Sequence, residues 1–261
     1  MIVTQDYGWS QLARRAGLDW PEATDWAMAQ AVQAGFAGWE PFVATAADLT
    51  RIATLAARHG LALPSIFVSA PLHEPGTQDR LMDICHAAAN HGCRLVMIYP
   101  AHALKSDAAL TIQARALNQI GAALKPLGLT LCYHPEEPEM LLAAHEFHHM
   151  LLGTDPDLVR LCLDPDTVWR GAGHSMIGLM DVLTLYAPRI AALHIRQSQA
   201  GVWAETVGPG DIDHAKVAQA LSRDTSPLLV VEHAYDPATP QSLDPVTAHR
   251  RSCAYVRAVF G

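Results

Sequence analysis

The chain has 261 residues, half of them hydrophobic, with a formal net charge of −8 and only 18 lysines and arginines. That length and apolar content supply a sizeable core and exclude a disordered chain, while the acidic balance counts against a phosphate backbone as the main ligand, so no nucleic-acid partner is expected. No apolar run approaches ~20 residues and no basic-then-apolar leader opens the sequence, so a cytoplasmic protein without a membrane partner is expected. The five cysteines, Cys85, Cys93, Cys132, Cys162 and Cys253, lack CxxC spacing and fit a reduced compartment.

In chain order, Met1 to Tyr7 reads as a short first strand and Gly8 to Asp19, which has no clear periodicity, as a loop with at most one helical turn. Pro21 suits a first helical turn, and the alanines and apolar residues from Trp26 to Ala34 predict a helix ending at Gly35. Phe36 to Phe42 is the next strand and carries Glu40. The alternation then repeats: helix Ala46 to His59 stopped by Gly60, strand Leu61 to Ser69, helix Gln78 to His91 stopped by Gly92, strand Arg94 to Tyr99, helix Asp107 to Leu124. A strand ends at His134, a helix falls within Glu139 to Leu152, and a strand ends at Asp164. Helix Met176 to Tyr186 precedes the strand Ala191 to Arg196, helix Ala215 to Leu221 precedes the strand Pro227 to His233, and Pro245 to Phe260 closes the chain as a helix.

Eight strands separated by helices over one 1–261 domain predict the closed parallel (β/α)8 TIM barrel, whose sites lie at the C-terminal ends of its strands. An open doubly wound sheet is the alternative, but its Gly-rich dinucleotide turn is absent.

Four predicted strand ends each carry a strong metal-ligand type, His134, Asp164, His194 and Glu232, at intervals of about one strand-helix unit. Barrel strand ends converge on one mouth, so these four side chains are expected to surround one divalent ion. Two imidazoles with two carboxylates suit Mn, Co, Zn or Fe better than Mg or Ca. Strand alternation places Arg196 on the face of His194, and gives Cys132 and Cys162 the parity of His134 and Asp164, as small buried residues facing the same interior. Glu40, Trp39, His73, Tyr99 and Trp169 are candidate pocket walls for a substrate.

The segments Gly35-Phe36-Ala37-Gly38-Trp39-Glu40, Tyr133-His134-Pro135-Glu136, Ala187-Pro188-Arg189-Ile190 through His194-Ile195-Arg196, Val207 to Asp213 and Val230-Val231-Glu232 resemble the sugar phosphate isomerase/epimerase family of xylose-isomerase-like barrels, which includes ketose 3-epimerases, hydroxypyruvate isomerase and inosose dehydratases. The resemblance implies a metal at the last four strand ends, chelated by adjacent hydroxyl and carbonyl oxygens of a sugar or polyol, and a homodimer in many members. Those ends carry Glu, Asp, His and Glu in the family. Here the first is His134, and Glu136, two residues on, could restore the missing carboxylate. The common His-x-Lys-Asp of the seventh strand is His194-Ile195-Arg196-Gln197, which keeps the cation. The implied chemistry is proton removal beside a metal-bound carbonyl, with Glu232 as ligand and base and Glu136 or His134 opposite it. Isomerisation or epimerisation is the leading expectation; β-elimination by a lyase or dehydratase is the alternative. A DNA-repair endonuclease and a non-catalytic sugar-binding barrel are more distant readings.

Overall fold

The computed structural model describes residues 1–72, 74–101, 106–221 and 226–261. Eight strands form the central sheet: β1 (Ile2–Gln5), β2 (Gly38–Glu40), β3 (Ser65–Ser69), β4 (Leu95–Tyr99), β5 (Thr130–Tyr133), β6 (Val159–Leu163), β7 (Ile190–Ile195) and, after a two-stranded hairpin β8 (Ser198–Gln199) and β9 (Val202–Trp203), β10 (Leu228–Val231). Their order is β2-β1-β10-β7-β6-β5-β4-β3, every pair parallel. Isolated parallel bridges Gly38 to Ala62 and Phe42 to Phe67 join the two ends of that order, so the sheet curls into a (β/α)8 barrel of the TIM type.

Alternation along each strand divides the core in two. Phe67, Met97, Tyr99, Cys132, Cys162 and Ala192 form a small inner cluster, whereas Ile66, Val68, Val96, Ile98, Leu131, Leu161, Leu163, Leu193 and Ile195 belong to the larger cluster under the helices. The parity expected for Cys132 and Cys162 therefore holds. Both are fully buried, and burial raises both thiols, that of Cys162 to about 11, which suits small packing groups better than nucleophiles.

The surrounding helices are α1 (Asp6–Arg15), α2 (Thr24–Ala34), α3 (Ala46–His59), α4 (Thr77–Asn90), α5 (Asp107–Leu124), α6 (Leu141–Gly153), α7 (Pro165–Gly171), α8 (Met176–Tyr186), α9 (His214–Ala220) and α10 (Pro245–Phe260). Side-chain caps start several of them: Thr45 accepts from the Asp48 amide, Ser106 from Ala109 and Asp244 from Thr247. Gly35 and Gly60 end α2 and α3 at φ values of 95° and 69°, where a side chain would be strained.

Two stretches differ from expectation. Residues 8–19, expected as a loop with at most one helical turn, contain most of α1. The Gln5 side chain accepts from the Tyr7 amide at 2.6 Å and starts the helix, while Gly8 lies so close to His233 that an added Cβ would sit 2.6 Å from its carbonyl oxygen. Close packing at that point demands glycine where apolar periodicity would have carried a larger residue. The second stretch is α7, which begins directly after Asp164. Asp164 accepts from the amides of Asp166 and Thr167, and Pro165 takes the first helical position.

Candidate functional site at the barrel mouth

His134 is the first residue past β5, Asp164 the first past β6, and Glu232 the first past β10; His194 is the fifth residue of β7. All four are buried. One oxygen or nitrogen from each of His134, Asp164 and Glu232 lies within 4.8 Å of the others, and a second group of the same tightness joins His134, Cys162 and His194. The four strand-end residues thus meet at one place, with His194 differently engaged from the other three. Its Nδ1 is 2.6 Å from Glu232 Oε2, and its Nε2 is 2.7 Å from Glu40 Oε1. Glu40, fully buried, also accepts a short hydrogen bond from Ser65 Oγ at 2.5 Å.

Arg196, two residues along from His194 on the same face, spans the two carboxylates. Its Nε donates to Asp164 Oδ2 at 2.6 Å, and its Nη2 is paired with the same oxygen and lies 3.3 Å from Glu232 Oε1. Thr167 Oγ1 donates to Asp164 Oδ2 at 3.1 Å, completing the acid's shell.

The electrostatics separate these groups into distinct states. Burial alone would raise Glu232, but Arg196 and His194 outweigh it and bring its carboxyl down to about 2. Burial works against an imidazolium at His194, yet its neighbours Cys162, Glu40 and Glu232 more than compensate, so that it holds its proton well above the ordinary histidine range. Arg196 is likewise held charged by Asp164 and Glu232 against the cost of burial. The opposite holds across the site. Burial lowers His134 well below the ordinary histidine range and keeps it neutral, and burial raises Glu136 to about 8, so that it carries its proton at neutral pH. Glu136 Oε1 lies 3.5 Å from His134 Nδ1.

A cavity of about 770 Å³ opens over this cluster. Glu136, Glu232, Arg196 and Tyr99 line it, as expected of them or of their strands. Glu40 does not reach the cavity; it stands behind His194. Trp169 is buried on α7 against His174, with ring centroids 4.3 Å apart, and Trp39 packs in the outer core near Trp9. His73 lies outside the described residues. The cavity wall also includes Asp6, Asp166, Thr167 and Trp203, which sequence reasoning did not single out. Asp6 follows the end of β1, and its carboxyl, raised to about 8 by burial, accepts from the Phe42 amide at 3.0 Å. Asp166 accepts from Arg170, Ser198 and Trp203, and so fixes the hairpin against α7. A signal for both acids was present, since each lies at or just past a strand end.

The donor chemistry fits a divalent ion at His134, Asp164 and Glu232. A metal-binding imidazole must be neutral, and His134 is neutral with neither ring nitrogen hydrogen-bonded among the described residues, a costly state for a buried polar group unless another partner takes it. His194 has its Nδ1 on Glu232 Oε2, whereas its Nε2, although 2.7 Å from Glu40 Oε1, is not aligned for a hydrogen bond.

Comparisons place this architecture among known proteins. Residues 28–259 match the family model described as xylose isomerase-like TIM barrel. A curated inosose dehydratase from Halalkalibacterium halodurans is 28% identical over 147 residues, 49% of this chain and 47% of the relative, so the match spans about half the length of that relative. Among solved structures, a sugar phosphate isomerase/epimerase from Parabacteroides distasonis superposes with a TM-score of 0.74 at 15% identity, covering 98% of this chain and 93% of the other. A 3-keto-D-glucoside 4-epimerase from E. coli gives 0.69 at 16% identity, covering 98% of both chains. At those identities the superpositions show a shared fold alone. Among the described residues no helix is long and apolar enough to cross a membrane. With the family model matched across most of its length and the mouth of its barrel built as described, the chain belongs to the xylose isomerase-like TIM barrel family.

Proposed function

We propose that this chain is a metal-dependent sugar isomerase or epimerase that removes a proton beside the carbonyl of a keto-sugar or polyol-derived ketone. The observation that carries the reading is that Glu232 and Glu136 line one cavity beside Arg196, Glu232 at the His134–Asp164–Glu232 cluster and Glu136 across the site from it, with burial and Arg196 holding the two carboxyls in opposite states. Groups whose surroundings push their pKa values apart supply a base and an acid at the same pH. Glu232 takes the proton from carbon, with its carboxylate aimed by His194, and Glu136 returns a proton to the substrate. Arg196 places a permanent positive charge at the cavity wall, where negative charge develops on the substrate oxygen.

His134, Asp164 and Glu232 would hold the ion, of the Mn, Co, Zn or Fe kind, and its chemistry would be to polarise the carbonyl as a Lewis acid. Two features support the reading: the neutral imidazole of His134, neither of whose ring nitrogens is hydrogen-bonded among the described residues, and the kinship with a sugar isomerase/epimerase and a keto-glucoside epimerase in fold. The chain is proposed to act as one domain on a small-molecule sugar, and a homodimer is part of the proposal.

A second reading, a lyase or dehydratase, draws on the partial match to an inosose dehydratase and on Glu136, which as a protonated acid could assist departure of a hydroxyl. Product identification by NMR separates the two. The protein, incubated with Mn, Co or Zn and a panel of ketoses and cyclic keto-polyols, is expected to give an isomer or epimer of equal mass. A dehydrated product would move the assignment to the lyase, and no turnover of any member with any ion would refute both.

A further inference from the structure

The three residues proposed to hold the ion are not equally free to do so. His134 has both ring nitrogens without a hydrogen bond among the described residues, but Asp164 is saturated. Its Oδ1 accepts from the amides of Asp166 at 2.9 Å and Thr167 at 3.2 Å, and its Oδ2 accepts from Thr167 Oγ1 at 3.1 Å and Arg196 Nε at 2.6 Å. Those hydrogen bonds match the roughly four lone-pair sites of a carboxylate, and Arg196 Nη2 crowds the same Oδ2 as an ion pair. Glu232 is engaged as well: Oε2 faces His194 Nδ1 at 2.6 Å, and Oε1 lies 3.3 Å from Arg196 Nη2. An ion seated on Asp164 therefore has to displace a donor. Asp166 and Thr167 belong to the first turn of α7 and are fixed by its backbone. Arg196, among the described partners of Asp164, is the one long and jointed side chain, and its planar fork spans both carboxylates as a lysine could not. It also has somewhere to go. It lines the cavity, with its guanidinium carbon 5.8 Å from the ring of Trp203. That ring is held in place: Trp203 Nε1 donates to Asp166 Oδ2 at 3.0 Å, and the guanidinium carbon of Arg170 lies 5.1 Å from it. A guanidinium lifted off the carboxylates meets an aromatic face, and the cation–π contact offsets part of what it gives up.

We infer that Arg196 is a built-in competitor of the metal: binding of a divalent ion lifts its guanidinium off Asp164 and Glu232 and turns it into the cavity against Trp203. This rests on the reading of His134, Asp164 and Glu232 as the metal ligands. Two consequences follow. The chain binds its ion less tightly than the same ligands would without Arg196. Loading of the ion and release of the cation that faces the substrate are one event, so that Arg196 becomes available to a substrate oxygen only when the ion is in place.

The test titrates Zn(II) by calorimetry into the full chelator-treated chain and into Arg196→Gln and Arg196→Lys, with folding checked by circular dichroism and folded His134→Ala reporting any binding outside the three ligands. One charge-assisted hydrogen bond to a buried carboxylate is worth about tenfold in affinity or more, so Arg196→Gln is expected to bind Zn(II) at least about tenfold more tightly than wild type. Arg196→Lys keeps the charge, loses the fork and is expected to fall between the two. A second measurement needs only the wild type. The Nε–H signal of Arg196 in the NMR spectrum of isotope-labelled arginine, assigned through its contacts with the Trp203 ring, is expected to shift and to exchange faster with water when Zn(II) is added. Wild-type affinity in folded Arg196→Gln, or an Nε–H signal unchanged at saturating Zn(II), overturns the inference while the ligand reading stands. Tightening in Arg196→Gln with none in folded Arg196→Lys shows charge repulsion in place of shared ligands and overturns it too. Zn(II) held by His134→Ala as tightly as by wild type, or not held by wild type at all, overturns the ligand reading and the inference with it.

Discussion

Replacing Glu40 by glutamine tests whether the carboxylate–imidazolium–carboxylate bridge, Glu40 to His194 to Glu232, holds the site together. In the native chain the fully buried imidazolium of His194 faces Glu40 at 2.7 Å and Glu232 at 2.6 Å. Glutamine keeps the volume and removes the charge from the Nε2–Oε1 contact, which is close without being aligned as a hydrogen bond, so the loss is that of one charge-assisted contact, about 1.5–3 kcal/mol, rather than the ~3–5 kcal/mol of an abandoned buried charge. For a chain of this size each kcal/mol moves Tm by roughly 2–4 °C, which gives a fall of about 3–12 °C in a thermal melt followed by circular dichroism at pH 7. The sign of the pH dependence follows from His194. Its raised pKa contributes stability that is fully present below the unfolded value of 6.5 and is lost as pH rises through the folded one. The deficit of Glu40→Gln is therefore largest at and below neutrality and shrinks in alkaline buffer. Ser65→Ala, which removes only the hydrogen bond to the other Glu40 oxygen, should cost less. A Tm within 1 °C of wild type, or a deficit that grows with pH, would refute the bridge.

Further expectations follow from the same structure. His249 stacks between Trp9 at 3.8 Å and His233 at 4.0 Å and is lowered to about 4 by burial, so the unfolded chain takes up a proton that the folded chain refuses; stability should fall as pH drops from 6.5 towards 4, and His249→Phe, which keeps the stack, should flatten that decline in acid melts. In pH–rate profiles, turnover should fall as pH rises through about 8 and Glu136 loses its proton, and Glu136→Gln should remove that limb while lowering the rate by about 10²-fold or more. Elemental analysis after metal loading should find about one divalent ion per chain, retained in folded Glu40→Gln and lost in folded His134→Ala and Asp164→Asn. Retention by both of the latter would remove the proposed triad.

Most of the barrel is legible in the sequence because its strands are short apolar runs between helices with strong stops, and Gly35 and Gly60 are where such stops require glycine. The interior face was legible too: period-two parity carries Cys132 to His134, Cys162 to Asp164 and Ala192 to His194 and Arg196. Parity cannot tell what a side chain meets. Glu40 was read as a pocket wall, yet β2 presents it to His194 behind the cavity, a pairing across the barrel between residues 154 positions apart that no local pattern encodes. The helix α1 was hidden because its buried face mixes Trp9 and Ala13 with Asp6, Gly8 and Ser10, which breaks the apolar periodicity. By contrast, α7 announced itself through Asp164-Pro165, an N-cap followed by proline, and was obscured by treating Asp164 only as a strand end. Trp203 reaches the site on a two-residue strand of a hairpin too short to leave a periodic signal.

The most direct test of the proposed chemistry is the rate at which a bound keto-sugar exchanges the proton beside its carbonyl with D2O, measured by NMR for the metal-loaded wild type and for folded Glu232→Gln. Acid–base catalysis by a positioned side chain contributes roughly 10²–10⁴-fold, so the account predicts a loss of that order on replacing Glu232. Exchange at the wild-type rate in the folded variant would contradict it.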